Sequence, residues 1–310
     1  MGESKCRLAA GGAAKQGQLM EADSLSIPAY AKINLSLEVI GRRDDGYHEV
    51  ATILQTVDLA DTVTVAPGQG LTVECDDTDL SGERNIVWDA ALTLAKYAGV
   101  SPNAHITIEK RIPVAAGLGG GSADAAAALH GLNALWGLNL PVTELVSVAG
   151  SLGSDVPFLL TGGTVLGAGR GDQLEQLPAV ETTRLLLVAP CGTITRKTPT
   201  LYGALTPDDY SDGEQTRRLA DSAALTAATL TSDSCRNVFT RAALEIFPGL
   251  NDVWERVAAA TEFPPCLSGA GPAFFCMPSD ETEQTKVAAA LQNTEATAYL
   301  IRTINPAHAV

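Results

Sequence analysis

Pro113-Val114-Ala115-Ala116-Gly117-Leu118-Gly119-Gly120-Gly121-Ser122 joins a segment of strict alternation to a long run of alanines. Upstream, Ala104–Lys110 puts Ile106 and Ile108 on one face and predicts a strand. Downstream, Ala123–Trp136 predicts a helix. The glycines leave main-chain N–H groups open to close approach by an anion. The first turn of the helix adds unpaired N–H groups and the positive end of its dipole. Ser122 is placed to cap that helix, touch a phosphate or ligate magnesium. Asp124 either caps the helix or attracts magnesium, and the cap is the preferred reading. Two better-known phosphate loops are excluded. No lysine precedes Ser122, as a P-loop requires. A dinucleotide fingerprint needs Gly or Ala where Ser122 stands, and a strand ending in an acidic residue beyond it, where this chain has Asn139-Leu140-Pro141. A packing turn with no ligand is the remaining alternative.

Toward the N-terminus, Ala29–Ile40, Glu49–Leu59, Asp61–Ala66 and Leu71–Cys75 read as strands, and Asn85–Ala98 as a helix. Toward the C-terminus, a helix is expected from Pro141 to Leu152, a strand over Phe158–Leu166 and a turn over Gly167–Gly171. The pattern resets near Pro178–Thr183, which divides the chain into 26–180 and 181–310, with 1–25 as a disordered extension and Met20 as a candidate start. Beyond the reset, Arg184–Ala189 reads as a buried strand and Ser211–Thr231 as helical. Val238–Phe247, Asn251–Thr261 and Glu281–Gln292 read as helices, and Ala273–Met277 and Ala296–Thr303 as strands.

Four further segments carry candidate chemistry. In Ser154-Asp155-Val156-Pro157 the proline is expected to hold Asp155 extended, as a fixed carboxylate able to accept a hydroxyl proton. Lys32 and Asn34 share one face of a strand whose other face carries Ile33 and Leu35, so Lys32 needs an anionic partner such as Asp155 or a phosphate. Tyr47-His48 after Gly46 can stack on and hydrogen-bond a nucleobase. Leu267-Ser268-Gly269-Ala270-Gly271-Pro272 is a second small-residue loop facing an anion or substrate. Each, taken singly, also has a plain structural reading.

The net charge of -15 argues against a nucleic-acid partner. It also obliges any polyphosphate site to draw on main-chain N–H groups, a few basic side chains and a divalent metal. The 45% hydrophobic content supports a sizeable core over 310 residues. No apolar run reaches the roughly 18 residues of a membrane helix. The six cysteines lack Cys-x-x-Cys spacing and are expected as free thiols in a reducing cytoplasm.

Taken in order, Ala31-Lys32-Ile33-Asn34-Leu35, Gly46-Tyr47-His48, Pro113–Ser122, Gly153-Ser154-Asp155-Val156-Pro157 and Leu267–Gly271 resemble the GHMP kinases, over about Ile27 to Arg302. The Ala-Lys-Ile-Asn, Gly-Tyr-His and Asp-Val-Pro segments resemble the branch acting on a cytidine diphosphate-linked methylerythritol. The resemblance implies a two-domain α+β fold, with a ribosomal-protein-S5-like N-terminal domain, a ferredoxin-like C-terminal domain and the active site in the cleft. It implies ATP phosphates on Pro113 and Gly117, Leu118, Gly119, Gly120, Gly121 and Ser122, and adenine near Asn85, Ile86 and Val87 with Lys110 close by. Magnesium would accompany ATP, with Ser122 a candidate ligand. Cytosine would pack on Tyr47 and bond His48. Asp155 would be the general base, Lys32 its orienting partner, and Asn34 part of the same centre, with Ser268 and Gly269 closing the substrate side. A monomer or homodimer with no membrane partner is implied. Another GHMP kinase, such as a homoserine kinase, and a non-catalytic nucleotide-binding protein are the alternatives.

Overall fold

In chain order the first half runs β1 (Leu25–Arg42), β2 (His48–Ala66), β3 (Leu71–Cys75), α1 (Ile86–Ala98), β4 (Ala104–Glu109), α2 (Gly120–Leu135), α3 (Val142–Ala149), α4 (Val156–Thr161), β5 (Thr164–Ala168) and β6 (Gln173–Gln176). The second half runs β7 (Arg184–Pro190), α5 (Lys197–Gly203), α6 (Glu214–Asp221), β8 (Arg236–Asn237), α7 (Thr240–Ile246), α8 (Leu250–Ala258), β9 (Cys266–Leu267), β10 (Phe274–Cys276), α9 (Glu281–Ala290) and β11 (Ala296–Arg302). The structure, a computed structural model, describes residues 24–221 and 235–305.

β1 and β2 pair antiparallel along their length and anchor a sheet ordered β3-β4-β2-β1-β8, with β5 and β6 branching from β2. Residues 31–39 of β1 are buried throughout, so this strand presents no row to solvent. α2 packs on the pair at close range. A side-chain carbon added at Gly131 would come within 2.7 Å of Ile27 and 2.9 Å of Val65. Its Ala123 and Ala125–Ala128 are likewise buried. The alanine run thus buries helix against sheet with little side-chain volume between them. α1 is capped by Asn85, whose side chain accepts from Val87 N–H at 2.9 Å. Its Leu94 and Val87 are fully buried.

The second sheet, β11-β7-β10-β9, is antiparallel throughout. α7, α8 and α9 contribute Ala242, Trp254 and Val287 to a second core, shared with Leu37, Val39 and Val50 of β1 and β2, in which Trp254 and Phe274 lie 5.1 Å apart. Two sheets with two main cores match the expected α+β architecture. The halves are stitched together. β8 lies parallel to β1 at Ser36–Leu37, and Thr303 bridges to Val57.

Several expectations are corrected. Glu49–Leu59 and Asp61–Ala66 form one strand, β2. The strand expected over Phe158–Leu166 is helix α4 followed by β5, because Pro157 falls in the first helical turn, where its missing N–H costs nothing. For the same reason Asp155 is not extended. It sits at φ -84°, ψ -18° as the residue before α4, and the proline restriction acts on Val156 instead. α2 begins at Gly120, three residues before the expected start, with Gly119 before it at φ 72°. Neither Ser122 nor Asp124 is therefore its cap. Of the expected extension, residues 1–23 lie outside the described residues; of the helical stretch expected over Ser211–Thr231, α6 occupies Glu214–Asp221 and 222–231 lie outside the described residues.

Leu94→Ala should lower the midpoint of urea unfolding by the equivalent of about 2–5 kcal/mol, without changing the denaturant slope.

Candidate active site

Two irregularities in β1 build the centre. The β1–β2 register shifts between Tyr30 and Lys32 and again between Asn34 and Ser36. Such bulges release backbone groups from the ladder and re-aim side chains. The Lys32 N–H points away from β2 and donates to Leu118 O at 2.9 Å, tying the glycine loop to β1. The Lys32 ammonium donates to Asn34 Oδ1 at 2.7 Å and lies 3.7 Å from the Asp155 carboxylate. Asn34 Nδ2 donates to Thr52 Oγ1 at 2.8 Å, and Thr52 donates on to Ser36 O at 2.6 Å. Lys32 is 5% exposed at its side chain, Asp155 37%. A buried ammonium thus holds a carboxylate that solvent and substrate can reach.

The glycine loop and the loop after β9 interlock. Ser268 Oγ donates to Gly117 O at 3.1 Å, and Ala273 N–H donates to Ala116 O at 3.1 Å. At Gly117, with φ 90°, an added Cβ would stand 2.3 Å from Ser268 O.

Two cavities meet at this centre. One, of about 520 Å³, is bordered by Asn85, Ile86, Lys110, Pro113, the whole run Gly117–Ser122, Asp124 and Lys197. The other, of about 720 Å³, is bordered by Asn34, Tyr47, His48, Arg170, Tyr202, Tyr210 and Gly269. Lys32, Asp155, Thr198 and Ala270 border both. Two expected residues face elsewhere. Val87 packs in the core of α1, and Ser268 is fully buried beneath the loop contact.

In the second cavity His48 stacks on Tyr202, ring centroids 4.5 Å apart, and meets Tyr210 edge-on at 6.2 Å. Burial, then the charge of Arg42, lowers the His48 pKa and favours a neutral ring. Burial, then the nearby Asp155, pushes the Tyr202 phenol up to about 12. Tyr47 is exposed, with the Arg170 guanidinium 5.0 Å from its ring centre.

Residues 85–163 match the family described as the GHMP kinases N terminal domain. The 4-diphosphocytidyl-2-C-methyl-D-erythritol kinase of Dehalococcoides mccartyi is 37% identical over 283 residues, 91% of this chain and 99% of that protein. A crystal structure of 4-(cytidine 5'-diphospho)-2C-methyl-D-erythritol kinase superposes with a TM-score of 0.72 at 30% identity, covering 90% of this chain and all of that one. The chain belongs to the 4-diphosphocytidyl-2-C-methyl-D-erythritol kinase family. The homoserine kinase of Cytophaga hutchinsonii, at TM-score 0.66 and 21% identity, shares the fold alone.

Lys110 does not stand as a lone cation at the glycine-loop cavity. Its ammonium pairs with Asp61 and, at 2.6 Å, with Asp124. Burial opposes the charge on Lys110, but the two carboxylates outweigh it and raise its pKa. Burial raises the Asp124 carboxyl against the pull of Lys110. Asp124 Oδ1 is buried without a partner. Asp61 also accepts from the N–H groups of Arg111 and Ile112, which fixes the chain entering the loop. Lys197 and Tyr202, both on α5, border the site without any signal in the sequence. Their segment is short and lacks periodicity, and only the tertiary fold delivers it.

Gly117→Ala should weaken binding of a non-hydrolysable ATP analogue at least tenfold in a calorimetric titration. It should also lower the melting temperature, because the methyl strikes main chain rather than a movable side chain.

Proposed function

We propose that this chain transfers the terminal phosphoryl group of ATP to the 2-hydroxyl of 4-diphosphocytidyl-2-C-methyl-D-erythritol, a step of the non-mevalonate isoprenoid route. The meeting of two cavities at Lys32 and Asp155 carries the reading, with the family membership as its support. ATP takes the cavity of the glycine loop. Its phosphates rest on the N–H groups at the start of α2, and its base lies toward Asn85 and Ile86. The cytidine diphosphate-linked alcohol takes the aromatic cavity, its pyrimidine against Tyr47 and Tyr202 and its polar edge on the neutral His48.

Asp155 accepts the proton of the 2-hydroxyl as that oxygen forms its bond to the terminal phosphorus. The bond from phosphorus to the β-phosphate oxygen breaks, and ADP leaves with that electron pair. Lys32 orients Asp155 and offsets charge on the moving group, and Asn34 holds Lys32 in line. No group of three or more acidic, histidine or cysteine side chains suited to a metal occurs among the described residues. The Ser122 hydroxyl and the unpartnered Asp124 oxygen offer hard oxygen donors to a magnesium ion arriving with the nucleotide. Magnesium, when bound, neutralises phosphate charge.

The five cysteines among the described residues are free thiols, which supports a reducing, cytoplasmic setting. No helix of the described residues is long and apolar enough to cross a membrane.

A steady-state assay with ATP and magnesium should give ADP and a monophosphorylated product from the cytidylyl methylerythritol, and none from homoserine or mevalonate. The reverse preference would end this reading. Asp155→Asn should cut kcat by about 10²–10⁴-fold while leaving binding of an ATP analogue unchanged. Near-normal turnover would remove Asp155 from the role of base. His48→Ala should raise KM for the cytidylyl substrate by about tenfold, with kcat little affected.

A further inference from the structure

Three lysines border the nucleotide cavity. Lys110 is matched by Asp61 and Asp124, and Lys32 by Asp155. Lys197 pairs with no carboxylate among the described residues. Its ammonium donates to two main-chain carbonyls, Ala115 O at 2.7 Å and Gly271 O at 2.6 Å. Those carbonyls belong to the glycine loop and to the loop after β9, so Lys197 spans the two loops that enclose the site. Neutral carbonyls are weak partners for an ammonium compared with a phosphate oxygen.

The chain is strained at Ala115, which accepts this bond, and at the residue before Lys197. Ala115, at φ 56°, and Arg196, at φ 53°, are non-glycine residues in the left-handed region. Each costs about 1–3 kcal/mol, and such strain gathers at functional sites. Burial, and then the charge of Lys32, lowers Lys197 to about 8. The ammonium therefore stands half-buried beside another cation, in a cavity shaped for phosphates, without an anion of its own.

We propose that Lys197 is a further catalytic residue of this kinase, its ammonium passing from the Ala115 and Gly271 carbonyls to the oxygens of the phosphoryl group in transfer. The proposal rests on the reading of the site as an ATP-dependent kinase. A phosphoryl group in flight spreads negative charge over three oxygens. The start of α2 and Lys32 approach it from the first half of the chain, and Lys197 completes the enclosure from the second. Lys197 forms no bond and gives up no proton, so the balance of the transfer is unchanged.

A protonation signature follows. The groups around Lys197 are Lys32 and Asp155, with Lys110, its two carboxylates and the exposed Arg84 elsewhere along the cavity. A phosphate partner favours the charged amine, so nucleotide binding should take up a proton near pH 8. As pH rises through about 8 the free enzyme loses this charge, and kcat/KM for ATP should fall.

The test compares the wild-type chain with Lys197→Met and Lys197→Arg. It uses steady-state kinetics across pH, melting temperatures, and calorimetry of a non-hydrolysable ATP analogue in two buffers of different ionisation heat. Lys197→Met should lower kcat by about 100-fold, leave KM for the cytidylyl substrate nearly unmoved and abolish both the alkaline limb and the proton uptake. Lys197→Arg should restore most of kcat and move the limb beyond the measurable range. A methionine variant with wild-type kcat, or one that loses kcat yet keeps the limb, overturns the proposal. If the methionine variant does not fold, the arginine profile decides, and an unmoved limb there overturns it too. A wild-type chain that phosphorylates nothing would end the kinase reading. Proton uptake on analogue binding, lost in a folded Lys197→Met or in Lys197→Arg, would still support a phosphate contact, and no uptake in the wild type would refute it.

Discussion

One main-chain hydrogen bond sets the geometry on which the site depends: Lys32 N–H to Leu118 O. In an antiparallel pair alternate residues direct their N–H away from the partner strand. Lys32 stays paired opposite Thr56 of β2, but on its other side β8 reaches β1 only at Ser36–Leu37, so the Lys32 N–H is open to the loop. The loop is thereby fixed against β1 at the point where the Lys32 side chain emerges. The packing leaves little slack, since a Cβ at Gly119 would stand 3.0 Å from Lys32 Cγ. Main-chain donors held this firmly need not reorganise when charge develops on a moving phosphoryl group, and that is the condition under which such donors are most effective.

Charge at the site is distributed sparingly, in keeping with a chain of net charge -15. Lys110 does not stand free as a phosphate hook. It is bracketed by Asp61 and Asp124, and that cluster by itself would repel a nucleotide. The partial charges of the α2 N-terminus carry no counter-ion requirement and point one way, so they can hold phosphates where side-chain charges are already matched. Burial acts in the same direction, since it raises the Asp124 carboxyl and makes its negative charge costly. The acidity of the surface and the anion affinity of the cleft are therefore separate properties.

The sequence made some of this legible and concealed the rest for definite reasons. The alanine run of α2 was readable because small residues at every position permit only close helix–sheet packing. Its true start was not, since glycines are poor helix formers in isolation and here enter the helix through the contacts of the loop. Spacing of two placed Lys32 and Asn34 together, but the bulges flanking them leave no mark in residue type. Val87 and Ser268 illustrate a limit of motifs. A motif locates a segment, while the direction of each side chain depends on the packing beneath it. Pro157 suits an extended segment as well as a first helical turn, and it is a first-turn helix residue here, a choice between two permitted roles that only the neighbouring fold can make. α5 was invisible. Its Lys197 lies 165 positions from Lys32 in the chain, and no local pattern encodes a contact over that separation.

The two halves share apolar packing, with Leu185, Leu187, Phe275 and Ile301 in one core with Ile33 and Val57, and hydrogen bonds set their register at the cleft. Asn237 Nδ2 donates to Leu267 O at 2.9 Å and Gly269 O at 2.8 Å, so β8, at the edge of the first sheet, grips the loop that follows β9. That loop in turn takes Gly117 O through Ser268. Directional bonds define a distance to a few tenths of an ångström, whereas apolar faces tolerate sliding. A reaction between two separately bound molecules is sensitive at that scale, because its rate depends on reacting atoms held about 3–3.5 Å apart in line. The polar stitching of the cleft is therefore the feature that lets one carboxylate, at the boundary of two cavities, serve a nucleotide on one side and an alcohol on the other.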